Sequence, residues 1–332
     1  MQDRPGIMAA PAALFLLLLC GPLPLTTPSA SGGGGLPEGV VRGSDYPRVP
    51  PGHPRVYMRP GDLPRLRAKA ADRGARQLWQ RVTNRADEDP VVQAFMHHIE
   101  QNSSYCDSAV AAQRARVAST LAKRPPNGGR LPDHDLSTVG RTFFSMLHTT
   151  SVVLDWCYDT LKPDARASLI SGIKALANMD APGYPIDFGN ATSPPHWDTV
   201  VGHPCEGWVM TGQLPGGIAM YDDDPSMYEG AARYFFEGLL PVRQLAYKAL
   251  KHYEGTHYTY ARYEHEIASA MIWSAIGQPD VFPPTQPAVM SDYIYSLIPN
   301  GVSALLLLFR EPSQSFPTER LRRRWWRTGT AR

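Results

Sequence analysis

Helical spacing of apolar residues is the feature that most limits the folds open to this chain. In the segment GDLPRLRAKAADRGARQLWQRVTNRADE, the apolar residues fall at the intervals of an α-helix: Leu66, Ala70, Leu78 and Val82. Asp62 stands where the N-cap of that helix is expected. A second segment, HDLSTVGRTFFSMLHTTSVVLDWCYDTL, is apolar on several sides and predicts a buried helix. Convincing alternation of apolar and polar residues is absent from the sequence, so we predict an all-α fold.

Further helices are expected along the chain. The segment KPDARASLISGIKALANM has Pro163 near its first turn and continues with apolar residues at helical spacing. DPSMYEGAARYFFEGLLPVRQLAYKAL and RYEHEIASAMIWSAIG predict two or more additional helices. Antiparallel helix pairs in series are typical of a solenoid or a toroid. Because the sequence has no repeated period, we favour an α/α toroid, with its cleft at the loop ends of the helix pairs.

The N-terminus predicts an exported protein. Residues 1–31 contain an apolar run that proline interrupts and that is short for a membrane helix, followed by small residues suited to signal peptidase. We therefore expect a signal peptide at 1–31 and a periplasmic or secreted location. A Gly- and Pro-rich stretch at 32–55 is expected to be a linker, and 56–300 the helical domain. No other stretch is long and apolar enough to span a membrane.

The last segment, 301–332, departs from the helical pattern. It passes from GVSALLLLF to a cluster of arginines with paired tryptophans. It is either a basic tail for an anionic partner or the product of a reading frame lost near Gly301, and we favour the second. The formal net charge of the whole chain is only +2, which predicts no nucleic-acid partner from bulk electrostatics. An acidic ligand would therefore have to be attracted by a local group of basic residues rather than by the net charge of the chain.

Removal of the signal peptide would leave three cysteines, Cys106, Cys157 and Cys205. An odd number in an exported protein allows at most one disulfide and one free thiol. We expect buried or idle thiols here rather than a bridge. The cysteine spacing matches no zinc ribbon or finger, so no metal site and no cofactor is predicted for this chain.

The stretch GHPCEGWVM places an imidazole and a carboxylate three residues apart in a mostly apolar segment, as His203 and Glu206. On a helix, residues at this spacing share a face. Three interpretations are open: a stabilising surface pair, part of a metal site with Cys205, or two groups of a proton-transfer device. The metal site would need a loop, because side chains two residues apart diverge on a helix, and the sequence contains no HExxH helix.

A second candidate is the tyrosine-rich stretch HYEGTHYTYARYEHE. Aromatic runs of this kind usually pack in a core or a surface patch. Here Gly255 and Thr256 predict a turn just before a helix, so Tyr258 is expected at the helix entrance, near the cleft of a toroid. A tyrosine beside a cation such as Arg262 can titrate below about 10 and exchange protons. Tyr260 lies in the same run and is a candidate substrate contact.

Other aromatic residues and histidines near these motifs are candidates for the cleft or for the core. His196 and Trp197 come shortly before His203 and are expected to line the same cleft, with Trp208 as another candidate contact for a sugar ring. His148 lies within an apolar helix and is interpreted as a core histidine with satisfied hydrogen bonds.

The order of these motifs resembles a known family. VGHPCEGWVMTGQLPGGIAMYDDDPSMYEGAARYFFEGLLPVRQ followed by YEGTHYTYARY is similar to the catalytic toroid of the heparinase II/III group of polysaccharide lyases. The similarity is strong over about residues 200–300 and weaker back to about residue 50. It implies that His203, Glu206 and Tyr258 are catalytic and that Arg262 contacts an acidic polysaccharide. GHxxE alone is a weak signal, whereas the combined order and spacing are fairly specific.

The resemblance also implies a reaction. Such a lyase cleaves a uronate-containing, glycosaminoglycan-like polymer by β-elimination, removing the proton on C5 and expelling the oxygen on C4. A protonated Glu206 would neutralise the uronate carboxylate, and Arg262 would bind carboxylate or sulfate. Tyr258 would act as base, as acid or as both, and His203 would share the base role.

The chain departs from the family pattern after YIYSLIPNG. Family members continue into a β-sandwich domain that supplies a further catalytic histidine and a structural zinc. We therefore expect an incomplete toroid that lacks this domain and has impaired activity. Two alternatives stay open: a glycan-binding remnant without turnover, and an α/α-toroid glycoside hydrolase that pairs Glu206 with Asp187 or Asp198 across the scissile bond.

Overall fold

The computed structural model describes residues 46–122, 141–177, 209–249, 255–279 and 281–295. Within these ranges the chain is mainly helical and contains no strand, which confirms the all-α prediction. The α-helices are α1 (Leu63–Ala71), α2 (Arg76–Thr83), α3 (Pro90–Glu100), α4 (Ser104–Leu121), α5 (Arg141–Cys157), α6 (Pro163–Leu176), α7 (Leu214–Ala219), α8 (Ser226–Arg233), α9 (Leu240–Ala246), α10 (Gly255–Ala275) and α11 (Gln286–Tyr295). Wider π-helical turns at Val209–Gln213 and Tyr234–Leu239 precede α7 and α9.

The first predicted helix is divided into α1 and α2. Asp72 takes an extended conformation between them, and its carboxylate accepts a hydrogen bond of 2.9 Å from the backbone N–H of Gly74. Such a local side-chain bond competes with helix continuation, which explains the break. Asp62 does occupy the N-cap position of α1, but its carboxylate accepts from the N–H of Arg59 instead of capping the helix.

Helix α6 follows the sequence pattern closely. It begins at Pro163, whose fixed φ suits the first turn of a helix, and it buries Leu169, Ile173 and Leu176 along one face. That face lies on α5, which also contacts α3, α4 and α7. Helix α5 is therefore the centre of the core.

A disulfide joins α4 to the central helix. Cys106 lies in the first turn of α4 and Cys157 ends α5, with 5.6 Å between their Cα atoms. The expectation that these cysteines are idle thiols is wrong. The bridge forms because the start of α4 packs beside the end of α5, an approach that the sequence does not reveal for two cysteines separated by 51 positions.

The N-terminal segment 46–59 is held on the core by one buried carboxylate. Oδ2 of Asp155, in α5, accepts hydrogen bonds of 2.8 Å from the backbone N–H groups of Arg55 and Val56. Its other oxygen lies 2.7 Å from Nδ1 of His53. The aspartate is fully buried, so these contacts replace the water that its charge would otherwise need.

The end of the segment expected to be a linker also packs on the core. Val49 and Arg55 are buried, and the guanidinium of Arg55 donates to the carbonyl of Ile218 at 2.8 Å and pairs with Asp222 at 2.9 Å. Val49 and residues 53–55 are therefore packed on the helical domain.

Glycines allow α7 and α8 to approach closely. A Cβ atom at Gly217 would lie 2.4 Å from the backbone nitrogen of Tyr228, and one at Gly216 would lie 2.9 Å from the sulfur of Met227. Helix α10 packs against the π-helical turn Val209–Gln213 and against α11. Among the described helices, none combines the length and the apolar character that crossing a membrane requires.

Candidate functional site

The residues predicted from sequence fall into two groups. Outside the described residues lie His196, Trp197, His203, Glu206 and Trp208. Tyr258, Tyr260 and Arg262 lie within the first eight residues of α10, which begins at Gly255. Gly255 and Thr256, expected to form a turn before the helix, are instead its first two residues, and Tyr258 lies in its first turn. The side-chain arrangement of the predicted site remains a prediction.

Helix α10 meets the turn Val209–Gln213 through a buried polar contact. Nδ1 of His265 lies 3.2 Å from the hydroxyl of Thr211, and the His265 ring packs edge-on against Phe144 of α5 at 5.6 Å between centroids. His265 follows Tyr258 by seven residues, which is two helical turns, so the two positions share a face of α10. The face that carries Tyr258 therefore continues toward Thr211 and α5.

His148 stands one turn beyond Phe144 on α5. Its Nδ1 lies 2.6 Å from the backbone carbonyl oxygen of Thr211, and burial lowers the pKa of its imidazole. The imidazole ring is half-buried and packs edge-on against the ring of Tyr57, with 5.7 Å between centroids. His148 is thus hydrogen-bonded as expected, but it lies at a junction of three segments and retains exposed surface.

Tyr57 reaches this junction from the N-terminal segment in an uncommon backbone conformation. Its φ of 66° lies in the left-handed region, which is rare for a bulky residue. Burial, and then the charge of Glu264 on α10, raise the pKa of the Tyr57 phenol, while burial raises the pKa of the Glu264 carboxyl. Tyr57 therefore keeps its proton across the physiological range.

We call Tyr57, His148, Thr211, Glu264 and His265 the polar recess. Four stretches of chain contribute to it, and three of its side chains, Tyr57, His148 and Glu264, are half-buried. Each of these three side chains therefore keeps part of its surface open to solvent. The recess offers a protonated phenol, a neutral imidazole and a carboxyl group.

A second polar network, centred on the buried carboxylate of Glu266, holds α10 in place. Both oxygens of Glu266 are engaged: Nε of Arg243 donates to Oε1 at 2.6 Å, and Nε2 of Gln286 donates to Oε2 at 3.0 Å. The hydroxyl of Tyr247 also donates to Oε2. Because these partners come from α9, α11 and the turn between α9 and α10, the network sets the position of α10 against its neighbours.

Sequence reasoning missed most of the recess. Tyr57, Glu264 and His265 received no assignment, and His148 was interpreted as a core residue. One signal was present, since His265 lies two helical turns after Tyr258 on the same face. The approach of Tyr57 to His148 across 91 residues leaves no trace in helical periodicity.

The chain matches no protein-family model, and no curated protein matches it. Among the described residues, no three histidine, cysteine, aspartate or glutamate side chains gather into a group that could hold a metal ion.

Proposed function

We propose that this protein is an exported polysaccharide lyase of the heparinase II/III type that cleaves uronate-containing glycans by β-elimination. The proposal rests first on the order of motifs from the GHxxE stretch to the tyrosine-rich turn. It includes the finer fold expectation, an α/α toroid of antiparallel helix pairs.

One structural observation carries the proposal furthest, the contact between Thr211 and His265. Thr211 follows Glu206 by five residues, a stretch that spans at most about 18 Å when fully extended. His265 follows Tyr258 by seven helical residues, about 10 Å along the axis. The contact therefore supports convergence of the two halves of the motif, which lie more than 50 residues apart in sequence.

The proposed chemistry needs each of the four motif residues. The C5 proton of a uronate is weakly acidic while the adjacent carboxylate is negative, so Glu206 in its protonated form and Arg262 neutralise that carboxylate. His203 or Tyr258 then removes the proton, and Tyr258 delivers a proton to the departing C4 oxygen. The C5–H and C4–O bonds break, a C4=C5 double bond forms, and no redox cofactor is required.

Two further features agree with this assignment. The Cys106–Cys157 disulfide is typical of proteins that fold in an oxidising compartment, which supports export. The network around Glu266 holds α10 rigidly, and a catalytic tyrosine in the first turn of that helix needs such support.

The test is formation of unsaturated uronate products, measured as ultraviolet absorbance of the conjugated double bond. Tyr258→Phe is expected to lose about a hundred- to ten-thousand-fold in rate. Tyr105→Phe is the control, because it removes a phenol that bonds Glu100 at the surface of α4. Undiminished activity in Tyr258→Phe would show that the tyrosine is assigned wrongly.

The same assay separates the alternatives. New reducing ends without unsaturation would identify a glycoside hydrolase, with Glu206 paired to Asp187 or Asp198. Retention of the glycan without either product would identify a binding protein that has lost turnover. Sequencing the genomic DNA beyond codon 301 in all frames tests whether a β-sandwich continuation exists.

A further inference from the structure

The tautomer of His148 is fixed by its contact with Thr211. Nδ1 of the ring lies 2.6 Å from a backbone carbonyl oxygen, and a carbonyl oxygen can only accept a hydrogen bond. Nδ1 therefore carries a proton. Because burial disfavours the charged ring, the imidazole is neutral, and Nε2 holds a lone pair. His148 thus presents a hydrogen-bond acceptor without positive charge.

The groups that face His148 preserve this state. Tyr57 packs edge-on against the imidazole from the N-terminal segment and keeps its proton. From α10, His265 shares Thr211 with His148, and Glu264 adds a carboxyl group close enough to Tyr57 to act on its phenol. Tyr57 also holds a left-handed backbone conformation, and such conformations persist where the surroundings impose them, often at ligand-binding sites.

A neutral acceptor and a carboxyl group discriminate between two kinds of sugar substituent. A free hydroxyl can donate a hydrogen bond to Nε2. A sulfate ester carries only acceptor oxygens and a negative charge, so both the Nε2 lone pair and an ionised Glu264 would repel it. Burying a sulfate against unpaired acceptors would be costly, and this cost gives the recess its selectivity.

We propose that Nε2 of His148 binds a free hydroxyl group of the glycan and makes the protein select sugars that are unsulfated at that position. Tyr57 is a positioning residue, because its ring packs against the imidazole and fixes its orientation. The inference rests on the proposed function for the class of polymer, and it assigns a substrate preference that the catalytic motif does not determine.

The decisive variant is His148→Asn. Asparagine places an amide N–H where Nδ1 stands, so it retains a donor for the Thr211 carbonyl while removing the Nε2 acceptor. His97→Asn is the matched control, since Nδ1 of His97 also lies near a backbone carbonyl, that of Asn102 at 3.1 Å, on the exposed side of α3.

Binding is measured by calorimetry without turnover, with heparin and with chemically desulfated, N-acetylated heparin. The wild type is expected to prefer the desulfated polymer. His148→Asn is expected to bind that polymer about tenfold more weakly, the loss that one hydrogen bond explains, with little change for heparin. His97→Asn is expected to keep the wild-type ratio. An unchanged ratio in His148→Asn, or a wild type that prefers heparin, overturns the inference.

The pH dependence of binding provides a second test. Because burial lowers the pKa of His148, protonation of Nε2 begins only below the ordinary imidazole range, and the ring then becomes a cationic donor. The preference for the desulfated polymer is expected to shrink at these pH values in the wild type, and to shrink less in His148→Asn, where Glu264 still takes up a proton but the imidazole is gone. A constant wild-type preference down to the acid limit of folding also overturns the inference.

These outcomes are separable from the proposed function. A protein that shows the binding preference but releases no unsaturated product would retain the His148 assignment and lose the lyase assignment. Failure of the wild type to bind either polymer would overturn the His148 assignment. Lyase activity is tested independently by the absorbance assay.

Discussion

Reduction of the Cys106–Cys157 disulfide is expected to destabilise the protein strongly. The bridge closes a loop between residues separated by 51 positions. For a loop of this length, the loss of chain entropy in the unfolded state corresponds to about 4 kcal/mol at room temperature. Domains of ordinary size have total stabilities of about 5–15 kcal/mol, so the reduced protein should lie near the threshold of unfolding.

The assay is equilibrium unfolding in urea, followed by circular dichroism with and without a thiol reductant. Reduction keeps both sulfur atoms in the core and removes only the crosslink. Replacing Cys106 and Cys157 by alanine removes the sulfur atoms as well, and since both residues are buried, each is expected to cost about a further 1 kcal/mol. Cys205→Ser is the control, and its response to reductant should equal that of the wild type.

Two results would refute this reasoning. Equal unfolding midpoints in the oxidised and reduced proteins would show that the bridge contributes no stability. A peptide map in which Cys205 is bound to Cys106 or Cys157 would show that the pairing itself is wrong.

Two other predictions concern the core and the acid limit of stability. Gly217→Ala should lower the free energy of unfolding by about 3 kcal/mol, because its Cβ would lie 2.4 Å from the backbone of Tyr228. Gly230→Ala has open space around its Cβ and should stabilise the protein by up to about 1 kcal/mol. Similar melting temperatures for the two variants would contradict the close approach of α7 and α8. Burial, and then the neighbouring His97, lower the pKa of His98 from 6.5 to about 4. The unfolded chain binds a proton at His98 more tightly than the folded protein does, so stability should fall by roughly 2–3 kcal/mol as the pH is lowered from 6.5 to about 4. The measurement is urea unfolding at a series of pH values. If His98→Gln loses stability with falling pH as steeply as the wild type, the prediction is wrong.

Local sequence signals predicted single helices better than their boundaries. Pro163 and the apolar spacing after it define α6, because both act within one helix. The division between α1 and α2 was missed, because Asp72 forms a bond with Gly74 that competes with the helical pattern. That bond depends on side-chain chemistry rather than on periodicity.

Contacts between distant segments were beyond the reach of sequence patterns. The pairing of Cys106 with Cys157 depends on how α4 lies on α5, and the recess depends on a left-handed residue, Tyr57, that reaches α5 from an irregular segment. The Gly255–Thr256 pair did predict that Tyr258 stands near the start of α10. Such a local signal contains no information about which helix ends meet.

The attachment of segment 46–59 to Asp155 has a practical consequence for protein production. A shortened gene designed around the helices alone would start near Leu63. The carboxylate of Asp155 would then keep its place in the interior without the two peptide N–H groups and the imidazole that solvate it. Stranding a buried charge in this way costs about 3–5 kcal/mol, so recombinant versions should retain the chain from Tyr46 onward and carry any purification tag ahead of it.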